Sequence, residues 1–300
     1  MDYGTEDLRE RRTPDVNALF QRAVAAIDAG DVEALERVLA DHPELVRDRL
    51  ESPGAWLRDT VKGALDGFFK APYLLWFVAE DPVRHGRLPA NIADIARVIV
   101  DAARRERVES LQAQLDYALN LVSWSWIARD CGVQIALIDV LIDAGARLDG
   151  NPENALVNGN FAAAEHLVGR GASLTLATAL CLGRWDDARR LAQGATGRER
   201  QFALILTALK GKAEAVQRLI EVGVDVNAVS PDLYSHATAL HHAVSSGVID
   251  AVRVLVESGA DLAARDTAYR GTPLGWAEYM SDKPQYQAIA AYLRGAGARD

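Results

Sequence analysis

The sequence predicts an all-α protein, a solenoid of about eight short helical hairpins with an irregular insert near residues 51–107. Three observations carry that prediction. Glycines recur between helix-like stretches along most of the chain. Prolines number only 10 in 300 residues and alanine-rich segments recur, so helices are seldom interrupted. No alternating run of apolar and polar residues is bounded by Asn-Gly or Asp-Gly, so no β-hairpin is indicated.

The glycines fall into two series. Gly132, Gly159, Gly183, Gly211 and Gly247 each separate two helix-like stretches, and Leu176, Leu204 and Leu240 stand seven residues before the last three. Gly145, Gly171, Gly223, Gly259 and Gly297 each end an apolar stretch such as Ala136–Ile142. The segment Thr238–Asp266 shows the physics of one unit. Thr238 is placed to cap a first helix by accepting a backbone N–H. Leu240, Ala243 and Val244 line one face of that helix at i, i+3, i+4 spacing. Ser246-Gly247 breaks it. Ile249, Val252, Leu255 and Val256 form the stripe of a second helix, which Gly259 ends in the left-handed conformation. So short a linker makes the two helices antiparallel. One hairpin cannot bury its own apolar face, so neighbours must stack.

These residues carry a family resemblance. Thr238-Ala239-Leu240-His241-His242-Ala243 resembles the ankyrin signature Thr-Pro-Leu-His-x-Ala, with Ala239 in the proline place. Ser258–Asp266 is similar to the loop between ankyrin repeats, and Gly223–Ala228 is a second copy of it. Gly271-Thr272-Pro273-Leu274-Gly275-Trp276-Ala277 opens a third unit, with Gly275 where histidine is expected. The match is specific over 202–300 and weaker over 108–201, where units shrink to about 24–28 residues and lose the projecting β-turn finger. The resemblance implies an ankyrin-repeat solenoid that binds a macromolecular partner through fingers and first helices on its concave side. It also implies that His241 holds a hydrogen-bond network between neighbouring loops.

The first 107 residues fit more loosely. Residues 1–15 read as a flexible tail. Leu19–Ala29 and Val32–Leu39, joined by Gly30-Asp31 and closed by His42-Pro43, read as a capping hairpin. Trp56–Phe69 reads as an extra helix, Leu74–Glu80 as a first repeat helix, Pro82–Asn91 as an inserted loop, and Ile92–Arg105 as a second helix capped by Asn91. From residue 108 onward the units are expected to form one continuous solenoid.

Composition narrows the function classes. Apolar residues make up 49% of the chain, enough for a buried core. The net charge of −9 repels phosphate backbones and disfavours nucleic acid as a partner. The basic clusters Arg9, Arg11 and Arg12, Arg104, Arg105 and Arg107, and Arg189 and Arg190 read as solvated helix ends. Cys131 and Cys181 form no Cys-x-x-Cys pair and read as free, buried, inert thiols of a reducing compartment. Met1–Arg12 is too polar for a signal peptide, and the longest apolar run, Tyr73–Ala79, is too short for a bilayer. The expectation is a cytoplasmic protein, monomeric, away from membranes.

Catalytic signals are absent. No Gly-x-Gly-x-x-Gly, phosphate loop, His-Glu-x-x-His or Gly-x-Ser-x-Gly occurs, so no catalytic residue, cofactor or metal is assigned. His241 and His242 point about 100° apart on a helix, which suits a structural role better than shared chemistry. Cys181 lies among Leu176, Leu180 and Leu182, a setting that raises a thiol pKa.

Two binding surfaces are indicated. The resemblance places fingers at 228–237 and 265–271. The first holds Pro231, Asp232, Leu233, Tyr234 and His236, and the second Arg265, Tyr269 and Arg270; Trp276 and Tyr279 follow on the next first helix. Tyrosine, tryptophan and arginine are enriched in binding surfaces. Tyr234 and Tyr269 also suit a plain role as covers for neighbouring loops. The alternative surface is a small-molecule or catalytic pocket in the irregular segment 56–129, with Trp76, Glu80, Asp81, Arg84, His85, Trp124, Trp126 and Arg129 as candidates. The leading expectation is a protein–protein interaction module that binds an unidentified protein.

Overall fold

The computed structural model describes residues 15–148 and 150–299; the expected tail up to residue 14, with Arg9, Arg11 and Arg12, lies outside the described residues. The chain divides into two compact units, one up to Arg147 and one from Leu148. Among the described residues the secondary structure is helical, apart from one isolated antiparallel bridge between Ser230 and Leu233 in the first finger.

The first unit holds α1 (Val16–Ala29), α2 (Val32–Asp41), α3 (Ala55–Val61), α4 (Ile92–Arg105), α5 (Leu111–Trp124), α6 (Trp126–Asp130) and α7 (Gln134–Asp143). Three 3₁₀ helices, Pro43–Val46, Lys62–Asp66 and Leu74–Ala79, interleave with them. α1 and α2 form the expected first hairpin, capped by Asp15 and Asp31 and separated by Gly30 at φ 67°. α4 packs against α2 and α7 through Ile92, Ile95, Ile99 and Val100, all buried. Each such side chain contributes about 1.5–3 kcal/mol by leaving water.

Three expectations for this unit need correction. Trp56–Phe69 is not one helix: α3 stops at Val61, where Lys62 turns to φ 45°, and a 3₁₀ turn follows. Leu74–Ala79 is a 3₁₀ rather than an α-helix, and all six of its residues are buried. Such all-round burial removes the polar face that would have marked its period. Asn91 does not cap α4; its Nδ2 instead donates to the Gly30 carbonyl at 2.8 Å.

The second unit is the regular one. It holds α8 (Asn151–Val157), α9 (Phe161–Gly169), α10 (Leu176–Cys181), α11 (Trp185–Gly194), α12 (Gly197–Leu209), α13 (Ala213–Glu221), α14 (Ala239–Ser246), α15 (Ile249–Glu257), α16 (Pro273–Tyr279) and α17 (Pro284–Gly295). Consecutive helices pair as hairpins. First helices stack on first helices, α8 on α10, then α12, α14 and α16, while α13, α15 and α17 stack behind them. Thr175, Thr196 and Thr272 cap α10, α12 and α16 through their side chains, and Thr196 completes a reciprocal box with Glu199. Each cap is worth about 1 kcal/mol. Of the stripe expected of Thr238–Asp266, Leu240, Ala243, Val244, Val252 and Leu255 are fully buried, while Ile249 and Val256 are half-buried. Gly211 shows why the hairpin bend needs glycine: φ is +62°, and a Cβ there would lie 2.4 Å from Val248 Cγ2.

Candidate functional site

The second finger is organised by a residue that the sequence did not single out, Asp266. Its carboxylate is buried and accepts the amides of Ala268 at 2.9 Å, Tyr269 at 2.6 Å and Gly271 at 2.8 Å. It also accepts the indole N–H of Trp276 at 3.0 Å. Burial opposes its charge, but these donors outweigh that and hold the carboxyl below the usual carboxylate range. The signal was an Asx-turn residue just ahead of a Gly-Thr-Pro helix start.

The two fingers are tied to each other. Thr267 N donates to the His236 carbonyl at 2.8 Å. His241 Nδ1 faces Thr238 Oγ1 at 2.9 Å and the Thr238 amide at 3.4 Å, and its Nε2 donates to the Gly271 carbonyl at 3.1 Å. This is the inter-loop network that the family pattern assigns to that position. Burial lowers the His241 pKa and keeps the ring neutral. His242, beside it, is pulled down to about 4 by burial, with no hydrogen-bond partner at Nε2 among the described residues.

An aromatic cluster joins these parts. Trp276 stacks on His236 at 6.1 Å and meets His241 edge-on at 5.1 Å, while Tyr234 covers His242 at 5.7 Å. Tyr234 therefore does two things: it packs on the finger base and remains 47% exposed. Leu233 of the same finger is half-buried. Tyr269 and Tyr279 differ, being 83% and 93% exposed. Together with Trp276, Met280, Gly271, Gly275 and Ser245 they line an open apolar groove of about 610 Å³. Gly275 leaves part of that groove vacant, since it stands where the preceding unit carries His241. Arg265 and Arg270 sit exposed on the same finger, with Arg265 Nη1 donating to the Arg270 carbonyl at 2.8 Å. All seven finger and helix residues picked from sequence thus lie on or beside one surface of the second unit.

The alternative set does not converge in this way. Glu80, Arg84 and His85 do meet. The buried Glu80 carboxylate accepts the amides of Arg84 at 2.8 Å and Gly86 at 3.0 Å, and that of His85. Arg84 pairs with Glu80 at 2.9 Å and with Asp28 at 2.8 Å, and lies over the Phe77 ring. His85 Nε2 meets Asp28 at 2.9 Å. This network fastens the inserted loop; the hollow beside it, lined by Gln21, Asp28, Trp56 and His85 among others, holds about 230 Å³. Asp81 is half-buried and its carboxyl is raised to about 6 by burial and by the Glu80 charge. Trp76 is elsewhere, buried against Tyr117 at 4.4 Å with its indole donating to the Gln114 carbonyl. Trp124 packs on Phe68, Trp126 is half-exposed, and Arg129 pairs with Asp130.

The remaining candidates are structural. Arg104, Arg189 and Arg190 form exposed pairs with Asp101, Asp186 and Asp187. Burial pushes the Cys181 thiol up to about 12, and Cys131 Sγ accepts the Leu88 amide of the inserted loop at 3.4 Å. No group of histidines, cysteines and carboxylates among the described residues is arranged to hold a metal ion. No helix among them is long and apolar enough to cross a membrane.

Stacked helical hairpins with projecting fingers define the class, a helical repeat protein. Comparison gives the kind of repeat it resembles: residues 154–266 match the family model for ankyrin repeats in three copies. Ankyrin repeats are in general protein–protein interaction modules. No curated protein matches the chain. Among solved structures, the crystal structure of the human ASB11 ankyrin repeat domain is similar at 17% identity, over 69% of this chain and 96% of that one, with a TM-score of 0.36.

Proposed function

We propose that the chain binds a protein partner through the fingers 228–237 and 265–271 and the first helices α14 and α16. One observation carries the reading. Tyr269 and Tyr279 are exposed almost completely and, with Trp276, border an apolar groove of about 610 Å³. Large exposed aromatics around a concave apolar surface have the composition of interaction hot spots. Asp266 holds Trp276 and the finger backbone in place, so the surface is preorganised and loses little entropy on binding. The neighbouring histidines belong to the scaffold of this surface: His241 bridges Thr238 and the Gly271 carbonyl, and His242 packs under Tyr234.

The test is affinity capture from native cell extract followed by mass spectrometry. Tyr234→Ala combined with Tyr269→Ala weakens recovery of the bound protein, while the far-ultraviolet circular dichroism stays that of the parent. Unchanged recovery by the double variant refutes the surface. The small-molecule reading of 56–129 has the hollow beside Arg84 in its favour, but Arg84 is already paired with Glu80 and Asp28 there. A metabolite co-purifying with the chain would reverse that preference.

A further inference from the structure

The character of the groove narrows its partner. Its walls are apolar and aromatic: Tyr269 from the finger, Trp276, Tyr279 and Met280 from α16 and its end. Neither Tyr269 nor Tyr279 pairs with another ring among the described residues, and both are exposed almost completely, so their faces are open to a ligand side chain. The charges around it are unevenly used. Glu278 is paired with Arg294, and Asp266 is buried under its four donors. Arg253 pairs with Asp250 and Arg218 with Glu214 on the second helices. The six charges of 265–283 balance, but with Asp266 buried and Glu278 paired with Arg294 outside the segment, the outward ones are Arg265, Arg270, Lys283 and Asp282.

Arg265 and Arg270 have no carboxylate partner among the described residues. The hydrogen bond from Arg265 to the Arg270 carbonyl fixes one guanidinium nitrogen to the finger and leaves the rest of the planar fork to face outward. A guanidinium held in this way is suited to a carboxylate in paired geometry. We infer that the groove takes an acidic peptide segment, with an apolar side chain seated between Tyr269, Trp276 and Tyr279 and a neighbouring carboxylate on Arg265 or Arg270. Apolar burial supplies the affinity; the arginines set polarity and register, and reject basic segments that the acidic chain would otherwise attract. The inference rests on the proposed binding surface and adds the chemistry of its partner.

The experiment is selection from a random dodecapeptide display library on the full-length chain, with an R265E/R270E variant and a Tyr279→Ser variant selected in parallel. Both substitutions are on exposed side chains, and a thermal melt matching the parent shows that each variant is folded. The expected peptides from the parent carry Asp or Glu beside a large apolar residue and have net negative charge. R265E/R270E loses those peptides or turns to basic ones, and Tyr279→Ser weakens the best parental peptide about tenfold, as the loss of one buried aromatic contact does. Net basic peptides from the parent, the same composition from parent and R265E/R270E, or no enrichment at all overturns the inference. A protein partner still captured through Tyr234 and Tyr269 in any of these cases leaves the proposed function standing and removes only the acidic peptide.

Discussion

The carboxylate of Asp266 accepts the indole N–H of Trp276 at 3.0 Å across the junction between the second finger and α16. The same carboxylate oxygen takes the Gly271 amide at 2.8 Å, so finger and helix close on a single atom. Asp266→Ala leaves these donors buried without an acceptor. It is expected to cost about 2–3 kcal/mol; Trp276→Leu removes one of these donors together with the ring contacts to His236 and His241 and is expected to cost about as much. Urea unfolding of the two variants and of the pair measures the coupling. Additive losses would mean that the bond does no joint work.

Acid acts on His242 and Asp266 in separate windows. His242 is depressed from its ordinary 6.5 to about 4, so the unfolded chain takes up the proton first. The stability it confers is complete above pH 6.5 and is lost as pH falls towards 4, roughly 3 kcal/mol at full effect. Asp266 is also depressed, so its share is complete above the unfolded carboxylate value and is lost only at still lower pH. His242→Phe removes the first loss and spares the second. Unfolding free energies measured from pH 7 to pH 4 should be flatter in that variant; an unchanged slope assigns the acid sensitivity elsewhere.

Glu80 is the anchor of the inserted loop. Its side chain is completely buried, and Arg84 beside it is almost so. Glu80→Gln keeps the shape but leaves Arg84 with half of its countercharge and weakens the three amide bonds. The expected cost is about 3 kcal/mol, with faster hydrogen exchange at Arg84, His85 and Gly86. Protection that persists in the variant would show the loop to be held by Cys131 and packing alone.

Glycine at a hairpin bend and at a helix end has two separable roles. Gly211 and Gly223 both have positive φ, +62° and +83°, but only Gly211 faces a wall, with Val248 Cβ 2.7 Å from the position of an added Cβ. Gly223→Ala is expected to cost about 1 kcal/mol from backbone strain, and Gly211→Ala roughly 2–4 kcal/mol because α15 must also shift. Thermal melts of the two variants compare them directly, and equal losses would remove the steric part.

The regular half was legible because its rules are local. Gly247 and Gly259 mark bend and end, Leu240, Ala243 and Val244 mark a face, and Thr238 and Thr272 open helices in the family's own pattern. Tyr269 on the finger and Tyr279 on the following helix were placed by the same local pattern. Leu74–Ala79 was read as an α-helix and is 3₁₀, because complete burial erases the polar face from which a helical period is read. Asp266 was passed over because its role is made by backbone amides, which have no letter in a sequence. Asn91 was misassigned as a cap because its true acceptor, the Gly30 carbonyl, lies sixty-one residues away.

Cys181 is sealed inside α10 with its thiol held protonated far above neutral pH, while Cys131 is only partly covered. Of the two thiols, only that of Cys131 is expected to be addressable. A maleimide dye would mark the first unit at the anchor of its inserted loop and leave the second unit unlabelled. Events at the inserted loop and events at the aromatic groove can then be followed separately in one unmodified sequence.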